Sequence, residues 1–471
     1  MPIQAAQWLA KNAPSYQIQP ASKASEQTKG TSSPKARFVV ISNSHAGARK
    51  ATELWEDVVA PLLDYALPPS VVFDGKVLHT ASAGDGERIG RELRKAQQEQ
   101  HAAAQRLVLL VLGGDGTVHE VLNGLLLDEN GNKQALAESA ELVLIPAGTA
   151  NALYYHTFPP ESPSFPLETP TSAFYSLLSF LQNGSATSSS DHLQPITLAL
   201  NTLPATATPS PSKRVLTTVV SSAALHACLL HDAEELRETH PGLERFKIAA
   251  QQNVQRWWEG TLKLEGNVRV YSPAKREWVP ANAGAASETP STLEGPFAYL
   301  VTALVSRFEP SFVVAPFRTA SHPLSPSNEV ASIDVICIRP TRHAPTSRLV
   351  QAGQEKEARD AWVQRIWEVT GGMYAGGKHV DQRYEEGEIA PLGEGELTDA
   401  VVEVYRCERL RWLPACTKDD LKSRLVCLDG AIYDLGTSAS SAADGADATD
   451  TALQGLSVEA LRGGEGISIW S

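Results

Sequence analysis

Residues 108–125 read VLLVLGGDGTVHEVLNGL. The run Leu107–Leu112 is wholly apolar and predicts a buried strand, which ends at a pair of glycines. Apolar residues then recur at helical spacing from 118 to 125, so a helix is expected directly after the strand. Strand-to-helix connections of this kind are typical of parallel sheets, which bind ligands at the carboxyl ends of their strands. Asp115 lies at such an end.

The composition of this turn admits two interpretations. Glycines let the backbone approach a phosphate closely, and the N–H groups at the start of the next helix can bind an anion. Because a carboxylate does little for phosphate binding by itself, Asp115 would then be a general base for an attacking hydroxyl or a partner of Mg²⁺. In the other interpretation the segment is a plain Gly/Asp turn in which Asp115 caps the helix. The segment alone favours neither.

Two more polar, glycine-bearing loops favour the first interpretation. ISNSHAG (41–47) follows one predicted strand and IPAGTAN (145–151) follows another, and each precedes a predicted helix. Since a parallel sheet brings the carboxyl ends of its strands to one edge, the three loops are expected to line one crevice. One such loop could be an ordinary connection, but three of them at one edge are much less expected by chance.

The segment from 37 to 151 alternates strand and helix patterns throughout. Short aliphatic or β-branched runs at Phe38–Ile41, Val71–Phe73 and Leu142–Ile145 are separated by amphipathic helical patterns. This alternation predicts right-handed βαβ units and an α/β domain with a parallel sheet.

The sequence changes character after residue 157. Short β-rich runs dominate and helical patterns are few, so a second, antiparallel domain is expected. The runs are Ile196–Leu200, Val215–Ser221, Leu262–Val270, Phe297–Val305, Ile333–Ile338, Val401–Tyr405 and Leu425–Leu428. The predicted organisation is a disordered tail at 1–34, an α/β domain at 35–157, a β-rich domain with loop insertions at 158–435, and a low-complexity segment with a C-terminal tail at 436–471.

Composition excludes several function classes. The chain has 471 residues, of which 42% are hydrophobic, so it can build a packed core. Its formal net charge is −13, which argues against nucleic acid as a partner. The five cysteines include no CxxC pair, which indicates reduced thiols and not a disulfide scaffold. No apolar run reaches the ~18 residues that a membrane-spanning helix requires, so a cytoplasmic protein is expected.

The three loops resemble the catalytic domain of the diacylglycerol kinase and sphingosine kinase family. GGDGT (113–117) matches the family signature in full, and IPAGTANAL (145–153) is similar to its third loop, closest to the sphingosine kinase branch. Asn43 matches the Asn of the family's first loop, where Ser44 replaces the usual Pro, and Thr80 resembles a Thr that opens a loop on the nucleotide side. NAD kinases and phosphofructokinases share the signature, so it indicates phosphoryl transfer. The third loop and the second domain carry the lipid inference.

The resemblance implies an ATP-binding α/β domain and a β-rich domain, a β-sandwich, that binds the lipid. Asp115 is then the base that takes the proton of the lipid hydroxyl, and Mg²⁺ offsets the charge on the transferred phosphoryl group. No metal site made of protein ligands alone is expected. The residues implied in nucleotide binding are Asn43, Thr80, Gly113, Gly114, Gly116, Thr117, Gly148, Thr149 and Asn151.

One departure from the family pattern concerns its C-terminal Asp-Gly-Glu. LVCLDGAIYDL (425–435) resembles this motif, and Asp429 and Gly430 match it and would belong to the Mg²⁺ and phosphate network. Ala431 stands where the family has Glu, so one acidic contribution to that network is missing.

A second departure concerns the lipid head group. SAALHACLLHDAE (222–234) resembles the segment in which the family's lipid domain presents acidic residues to its substrate. Cys228 and Leu230 occupy positions where acidic residues are expected, and only Asp232 remains acidic. Asp232 is a weak head-group candidate, because a solvated carboxylate near a helix start is the slightly favoured explanation.

The expected function is an ATP-dependent lipid kinase with a long-chain lipid as substrate, a sphingoid base first and diacylglycerol or ceramide next. A kinase for a soluble nucleotide and a catalytically weak lipid-binding protein with a kinase fold are the alternatives. Ala431 motivates the second of these. The protein is expected to bind a membrane surface reversibly, as a peripheral protein.

Overall fold

The computed structural model describes most of the chain. The residues described are 3–21, 36–99, 106–134, 136, 139–185, 190–204, 213–240, 242–281, 291–318, 331–389, 399–415, 419–436, 455–461 and 466–471.

The described residues form the following strands and helices. The strands are β1 Ala36–Asn43, β2 Val71–Thr80, β3 Leu107–Gly113, β4 Ala140–Pro146, β5 Leu193–Pro195, β6 Leu198–Thr202, β7 Arg214–Thr217, β8 Val220–Ala223, β9 Gly260–Glu265, β10 Arg269–Ser272, β11 Glu277–Pro280, β12 Ser291–Glu294, β13 Tyr299–Ala303, β14 Ile333–Ile338, β15 Glu403–Cys407, β16 Arg409–Pro414, β17 Leu425–Leu428, β18 Ala431–Asp434, β19 Leu456–Leu461 and β20 Ile467–Trp470. The helices are α1 Ala5–Asn12, α2 Ala51–Leu54, α3 Ala60–Ala66, α4 Asp85–Glu99, α5 Asp115–Leu126, α6 Ala152–Thr157, α7 Tyr175–Asn183, α8 Ala224–Glu235, α9 Glu244–Asn253, α10 Ala344–Gln351 and α11 Glu355–Tyr374. A π-helical turn, Trp55–Val59, joins α2 to α3, and short 3₁₀ turns lie at Ser190–His192, Pro340–Arg342, Lys378–Asp381 and Leu421–Ser423.

The first domain contains the predicted parallel sheet. Its strand order is β2-β1-β3-β4-β20-β5, and every pair except β20–β5 is parallel. The register aligns the carboxyl ends of the strands, since Asn43 pairs with Thr80 and Gly113 pairs with Pro146. The loops that follow these residues therefore emerge at one edge, as expected for a doubly covered α/β sheet.

Helices cover both faces of this sheet, which explains why β3 is apolar at every position. Alternate side chains of a strand point to opposite faces. Val108, Leu110 and Leu112 pack with α1, α3 and α7, whereas Leu107 and Leu109 pack on the other face with α4 and α5. All seven residues of β3 are buried.

The other described strands form two large antiparallel sheets, which agrees with the expected β-rich domain. One has eight strands in the order β11-β10-β15-β14-β13-β8-β17-β18, and the other has six in the order β12-β9-β16-β19-β6-β7. Both sheets contribute to one hydrophobic core, which continues into the α4–α5 face of the first domain. The second domain is thereby packed against the helices that carry the loops of the first.

The end of the chain differs from the predicted tail at 436–471. β19 pairs with β16 and β6, and β20 lies between β4 and β5 in the parallel sheet. Trp470 is fully buried, and its indole N–H donates to Glu141 at 2.9 Å. The physical reason is an alternating apolar pattern at the end of the chain, LSVEAL and ISIW. The low-complexity part of the segment, 437–454, lies outside the described residues.

The beginning of the chain also differs from the predicted disordered tail at 1–34. Residues 5–12 form α1, in which Leu9 is buried and Trp8 makes an edge-to-face contact with Phe174 at 5.8 Å. Two apolar side chains on one face give this short helix a place to pack. Residues 22–35 lie outside the described part of the chain.

The helices of the described residues range in length from α2, with four residues, to α11, with twenty. None of them is long and apolar enough to cross a membrane.

Candidate active site

The three glycine-bearing loops meet backbone to backbone at the edge of the parallel sheet. A methyl group on Gly148 would lie 2.4 Å from the Cα of Gly114, and one on Gly47 would lie 2.6 Å from the carbonyl oxygen of Ala147. Gly47 also has a φ of +47°, in the left-handed region that favours glycine. These contacts require glycine and fix the three loops relative to one another.

Asp115 is the first residue of α5 and projects toward the third loop. Its two carboxylate oxygens accept hydrogen bonds from the backbone N–H groups of Ala152 (2.8 Å) and Leu153 (3.0 Å), at the start of α6. Asp115 therefore caps a helix, but this helix is α6 and not the helix that Asp115 begins. The cap that the second interpretation expects at the start of α5 is not formed, because Gly114 is the N-cap residue there and makes no side-chain hydrogen bond.

The surroundings of Asp115 change its acidity. Burial raises the pKa of Asp115 to about 6, and the nearby negative charge of Asp429 acts in the same direction, while the two N–H groups of α6 oppose the rise. A carboxylate with a pKa near 6 is ionised at neutral pH and is a better proton acceptor than an ordinary aspartate.

The helix α6 is in turn anchored to the second domain. His156, one turn into α6, accepts a hydrogen bond from the backbone N–H of Ser306 at 3.1 Å. Burial lowers the pKa of His156 to about 3, so the ring is neutral and its Nδ1 stays an acceptor. The support of Asp115 therefore extends into the β-rich domain.

The first loop is connected to the glycine signature by side chains. The amide group of Asn43 donates to the hydroxyl of Thr117 at 2.9 Å, and its oxygen accepts the N–H of His45 at 3.0 Å. Thr117 also closes over the strand end, since a methyl group on Gly113 would lie 2.6 Å from its hydroxyl oxygen. Asn43 and Thr117 thus hold two of the loops together.

The loop after β2 is held by two carboxylates. Asp85 accepts hydrogen bonds from the N–H groups of Ala81 and Ser82, which lower its pKa, and Glu120 of α5 accepts those of Gly84 and Gly86. The loop is therefore fixed against the helix that carries the glycine signature.

Thr80, the last residue of β2, has a free hydrogen-bonding group at this loop. Its side chain is buried, and its hydroxyl has no partner among the described residues. A buried, unpaired hydroxyl at a cleft is satisfied when a ligand bonds to it.

These loops line one large cleft between the two domains, with a volume of about 1380 Å³. The cleft brings together most of the residues singled out from the sequence. They are Asn43, Thr80, Gly114, Asp115, Gly116, Thr117, Gly148, Thr149, Asp429 and Gly430. Gly113 and Asn151 do not line it. Gly113 is buried behind Thr117, and Asn151 closes the third loop through two hydrogen bonds with Gly148, at 2.8 and 3.0 Å.

Asp429 lies in the wall that the second domain contributes. Its Oδ1 accepts the N–H groups of Val219 (2.9 Å) and Val220 (2.8 Å), and its Oδ2 accepts the N–H of Thr218 (2.7 Å). The Thr218 hydroxyl and the Nδ1 of His119 each lie 3.2 Å from Oδ2. The carboxylate has no solvent exposure. Its lone pairs are thus already used by protein groups, which argues against the direct Mg²⁺ role that the resemblance implies.

Asp232 does not line the cleft. It is buried, and its carboxylate contacts Lys422 Nζ (2.6 Å), Asn253 Nδ2 (2.6 Å) and His231 Nδ1 (2.9 Å). It joins α8 to α9 and to the turn that carries Lys422. Asp232 is therefore neither a solvated carboxylate nor a residue of the cleft wall.

The carboxylates of the cleft leave little room for a metal held by protein alone. Asp115, Asp429 and Glu120 each accept protein N–H groups, and Glu87 pairs with Arg91. Among the described residues, one group of His, Cys, Asp or Glu side chains is close enough to hold a metal, namely His231, Asp232 and Glu235. It lies outside the cleft, and Lys422 already neutralises Asp232. The engagement of these four carboxylates fits a Mg²⁺ ion that takes its ligands mainly from nucleotide phosphates and water.

Several side chains of the cleft had no clear signal in the sequence. They are His119, Glu120, Arg91, Lys213, Arg214, Glu234, Arg237 and Tyr433. His119 follows Asp115 by four positions, about one helical turn, so the helical period could have placed it nearby. Apart from Glu120, the others come from distant segments, and only the folded chain brings them together.

Two of the solved structures that resemble this chain share low sequence identity with it. A crystal structure of a candidate diacylglycerol kinase from Bacillus anthracis str. Sterne aligns with 93% of this chain and 98% of its own, at 13% identity and a TM-score of 0.42. Yeast NADH kinase complexed with NADH aligns with 93% of this chain and 84% of its own, at 10% identity and a TM-score of 0.31. With TM-scores below 0.5, neither similarity identifies the reaction or the substrate of this chain.

Comparison of sequences gives a more specific result. Sphingoid long chain base kinase 4 of Schizosaccharomyces pombe (strain 972 / ATCC 24843) is 30% identical over 122 residues, which are 26% of this chain and only 23% of the relative. Residues 37–173 match the model of the diacylglycerol kinase catalytic domain. The matched segment contains all three glycine-bearing loops, so the resemblance to the diacylglycerol kinase family seen in the sequence is confirmed for residues 37–173.

Proposed function

We propose that the chain is an ATP-dependent lipid kinase, which transfers the γ-phosphoryl group of ATP to a hydroxyl of a long-chain lipid. The observation that carries this proposal is the position of Asp115. It lies where three glycine-bearing loops meet, and burial raises its pKa to about 6. Phosphoryl transfer requires mainly positioning and charge stabilisation, with a base for the attacking hydroxyl.

The nucleotide is proposed to bind along the loops of the first domain. Asp115 and Gly116, at the start of α5, line the same cleft as the loops, and the start of a helix suits an anion. A methyl group on Gly116 would meet nothing within 4 Å, so the cleft is open at this point and a phosphate can approach the backbone. The free hydroxyl of Thr80 supplies one more polar contact.

Mg²⁺ is proposed to enter with the nucleotide. When bound, it would offset the charge on the phosphates during transfer. Gly114 and Gly148 hold their two loops close together, and Gly116 leaves open space in which the phosphates can approach the backbone. Asp115 accepts the proton of the attacking hydroxyl, and α6 keeps its carboxylate in place.

A sphingoid base is the proposed acceptor. The relative that matches this region is named a sphingoid long chain base kinase. The third loop, IPAGTANAL, favours the same branch of the family. Diacylglycerol and ceramide are the alternative acceptors, because the catalytic-domain model is shared with diacylglycerol kinases.

The test is a substrate panel with purified full-length chain and ATP labelled in the γ position. Sphingosine, dihydrosphingosine, diacylglycerol, ceramide and NAD are offered under identical conditions with Mg²⁺. Label is expected in a sphingoid base above the other lipids and above NAD. Labelling of NAD alone would contradict the lipid assignment, and labelling of diacylglycerol alone would replace the acceptor but keep the reaction.

A second candidate is a catalytically weak lipid-binding protein with a kinase fold. Ala431 supplies no carboxylate where the family has Glu, and the carboxylate of Asp429 is used by protein groups. In that case the chain would bind a sphingoid base without turning over ATP. Measured ATP turnover in the presence of the preferred lipid separates the two candidates.

A further inference from the structure

The side chain of His119 has a defined position in the cleft, and neither nucleotide binding nor the base role of Asp115 accounts for it. His119 follows Asp115 by four positions in α5, so the two side chains lie on one face of the helix with roughly 5–6 Å between their Cβ atoms. Both line the cleft between the domains. The ring of His119 is directed toward the wall of the second domain, where its Nδ1 lies 3.2 Å from Oδ2 of Asp429.

Asp429 is well suited to orient this ring. Its backbone is in the left-handed region, with a φ of +48°, and its carboxylate accepts three backbone N–H groups from 218–220. These bonds fix the carboxylate in a site without solvent exposure. A fixed carboxylate beside Nδ1 favours the tautomer with the proton on Nδ1. In that tautomer the Nε2 atom is the acceptor, and it has no hydrogen-bond partner among the described residues.

We propose that His119 is a second proton-transfer residue of the kinase reaction, and that Asp429 is a positioning residue that acts through it. This inference rests on the proposed kinase function. In the reaction, the acceptor oxygen forms a bond to the γ-phosphorus while its proton passes to Asp115. The bond from the γ-phosphorus to the bridging oxygen breaks, and its electron pair leaves with ADP. The proton then moves from Asp115 to Nε2 of His119, directly or through one water, and from there to solvent.

The pairing of His119 with Asp429 would give the proton taken up by Asp115 a way out of the site. The carboxylate of Asp115 is held by α6 and partly removed from solvent, so a proton taken up there needs an exit before the next turnover. The imidazolium formed at His119 would be stabilised by the charge of Asp429. This role also gives Asp429 a function that its occupied lone pairs permit, unlike direct metal binding.

Two variants of His119 test the proposal in the lipid phosphorylation assay. His119→Gln keeps a side chain of similar length without an acid–base group, and kcat is expected to fall about 10- to 100-fold with little change in KM for ATP. His119→Ala leaves space beside Asp429, and added imidazole is expected to restore part of its kcat. A structural role would not be rescued by imidazole.

The matched control is His231→Gln. His231 also has its Nδ1 beside a buried aspartate, Asp232, at 2.9 Å, but it lies outside the cleft. Its kcat is expected to stay within about twofold of wild type. Wild-type kcat in both His119 variants would overturn the proposal while the kinase function stands. Absence of lipid phosphorylation by the wild-type chain would instead overturn the proposed function.

Asp429→Asn distinguishes the positioning role from metal binding. The positioning role predicts a lower kcat with an unchanged KM for Mg²⁺·ATP. A raised KM for Mg²⁺·ATP with full kcat would show that Asp429 serves the nucleotide and metal, and would contradict the proposal. Thermal melting is measured on each variant. If Asp429→Asn does not fold, the His119 variants and imidazole rescue decide.

Discussion

At the residue scale, the acidity of Asp115 predicts how activity depends on pH. Its pKa is raised to about 6, and a general base must be ionised to accept a proton. We expect kcat/KM for the lipid to rise with pH through about 6 and to level off above pH 7. The measurement is a pH–rate profile with saturating ATP. An acidic limb near pH 4, the range of an ordinary aspartate, would contradict this assignment.

The same pKa predicts the opposite trend for stability. A carboxyl group with a pKa of about 6 in the folded state and about 3.8 in the unfolded state binds more protons when folded between these values. Its contribution to the free energy of unfolding therefore falls as pH rises from 4 to 6. In Asp115→Asn this component is absent, so its melting temperature relative to wild type should rise over that range. A difference that does not change with pH would show that the pKa is not raised.

At the element scale, the contact between the loops that follow β1, β3 and β4 predicts different outcomes for two glycine substitutions. In Gly148→Ala the new methyl would lie 2.4 Å from the Cα of Gly114, so the backbone must shift, at a cost of about 1–3 kcal/mol. In Gly116→Ala the methyl meets nothing within 4 Å and points into the cleft. We expect a lower melting temperature only for Gly148→Ala and weaker ATP binding for both. Unchanged ATP binding by Gly116→Ala would contradict the proposed phosphate position.

The position of Trp470 in β20 predicts that its truncation strongly lowers the free energy of unfolding, although the sequence pattern assigned this residue to a tail. Trp470 is fully buried between β4 and α7, and its ring centroid lies 5.6 Å from that of Phe180. Trp470→Ala should lower the free energy of unfolding by about 3–5 kcal/mol. Trp8→Ala, which truncates a half-buried ring on α1, should lower it less. Denaturant unfolding of both variants provides the comparison, and equal effects would contradict the described role of β20.

At the scale of the whole molecule, the sequence predicted what depends on local pattern. The buried run before the glycine signature forms β3, and the three glycine-bearing loops meet at the sheet edge as expected. The periods of apolar residues fixed these elements. By contrast, β20 joins β4, more than 300 residues away, and only four residues carry its signal.

Only the part of the candidate site that depends on local sequence pattern was predictable. Asp115 belongs to a local motif, whereas the pairing of His119 with Asp429 joins positions 310 apart in the chain. No local pattern relates the two, because the second domain brings them together by folding. Asp232 is the opposite case, in which a local pattern was misleading. Its segment resembles the family's head-group region, but its carboxylate is buried and pairs with Lys422.

The proposed lipid substrate leads to a prediction for membranes. A lipid kinase must reach a substrate that resides in a bilayer, and because the chain carries a formal net charge of −13, its attraction to anionic lipid must come from local basic groups. We expect reversible binding to vesicles through local contacts, stronger with anionic lipid and weakened by salt. Sedimentation with vesicles at two salt concentrations measures this. Absence of binding to any vesicle, or binding that salt does not weaken, would contradict the prediction.

The central claim is that the cleft at the glycine signature transfers phosphoryl groups with Asp115 as the base. Asp115→Asn tests it most directly, in the assay with labelled ATP and the preferred lipid. Asparagine keeps one acceptor oxygen for α6 but cannot take up the hydroxyl proton. We predict folded protein by thermal melting, ATP binding equal to or tighter than wild type, and kcat lower by about 10²–10⁴-fold. Wild-type turnover by this variant would contradict the claim.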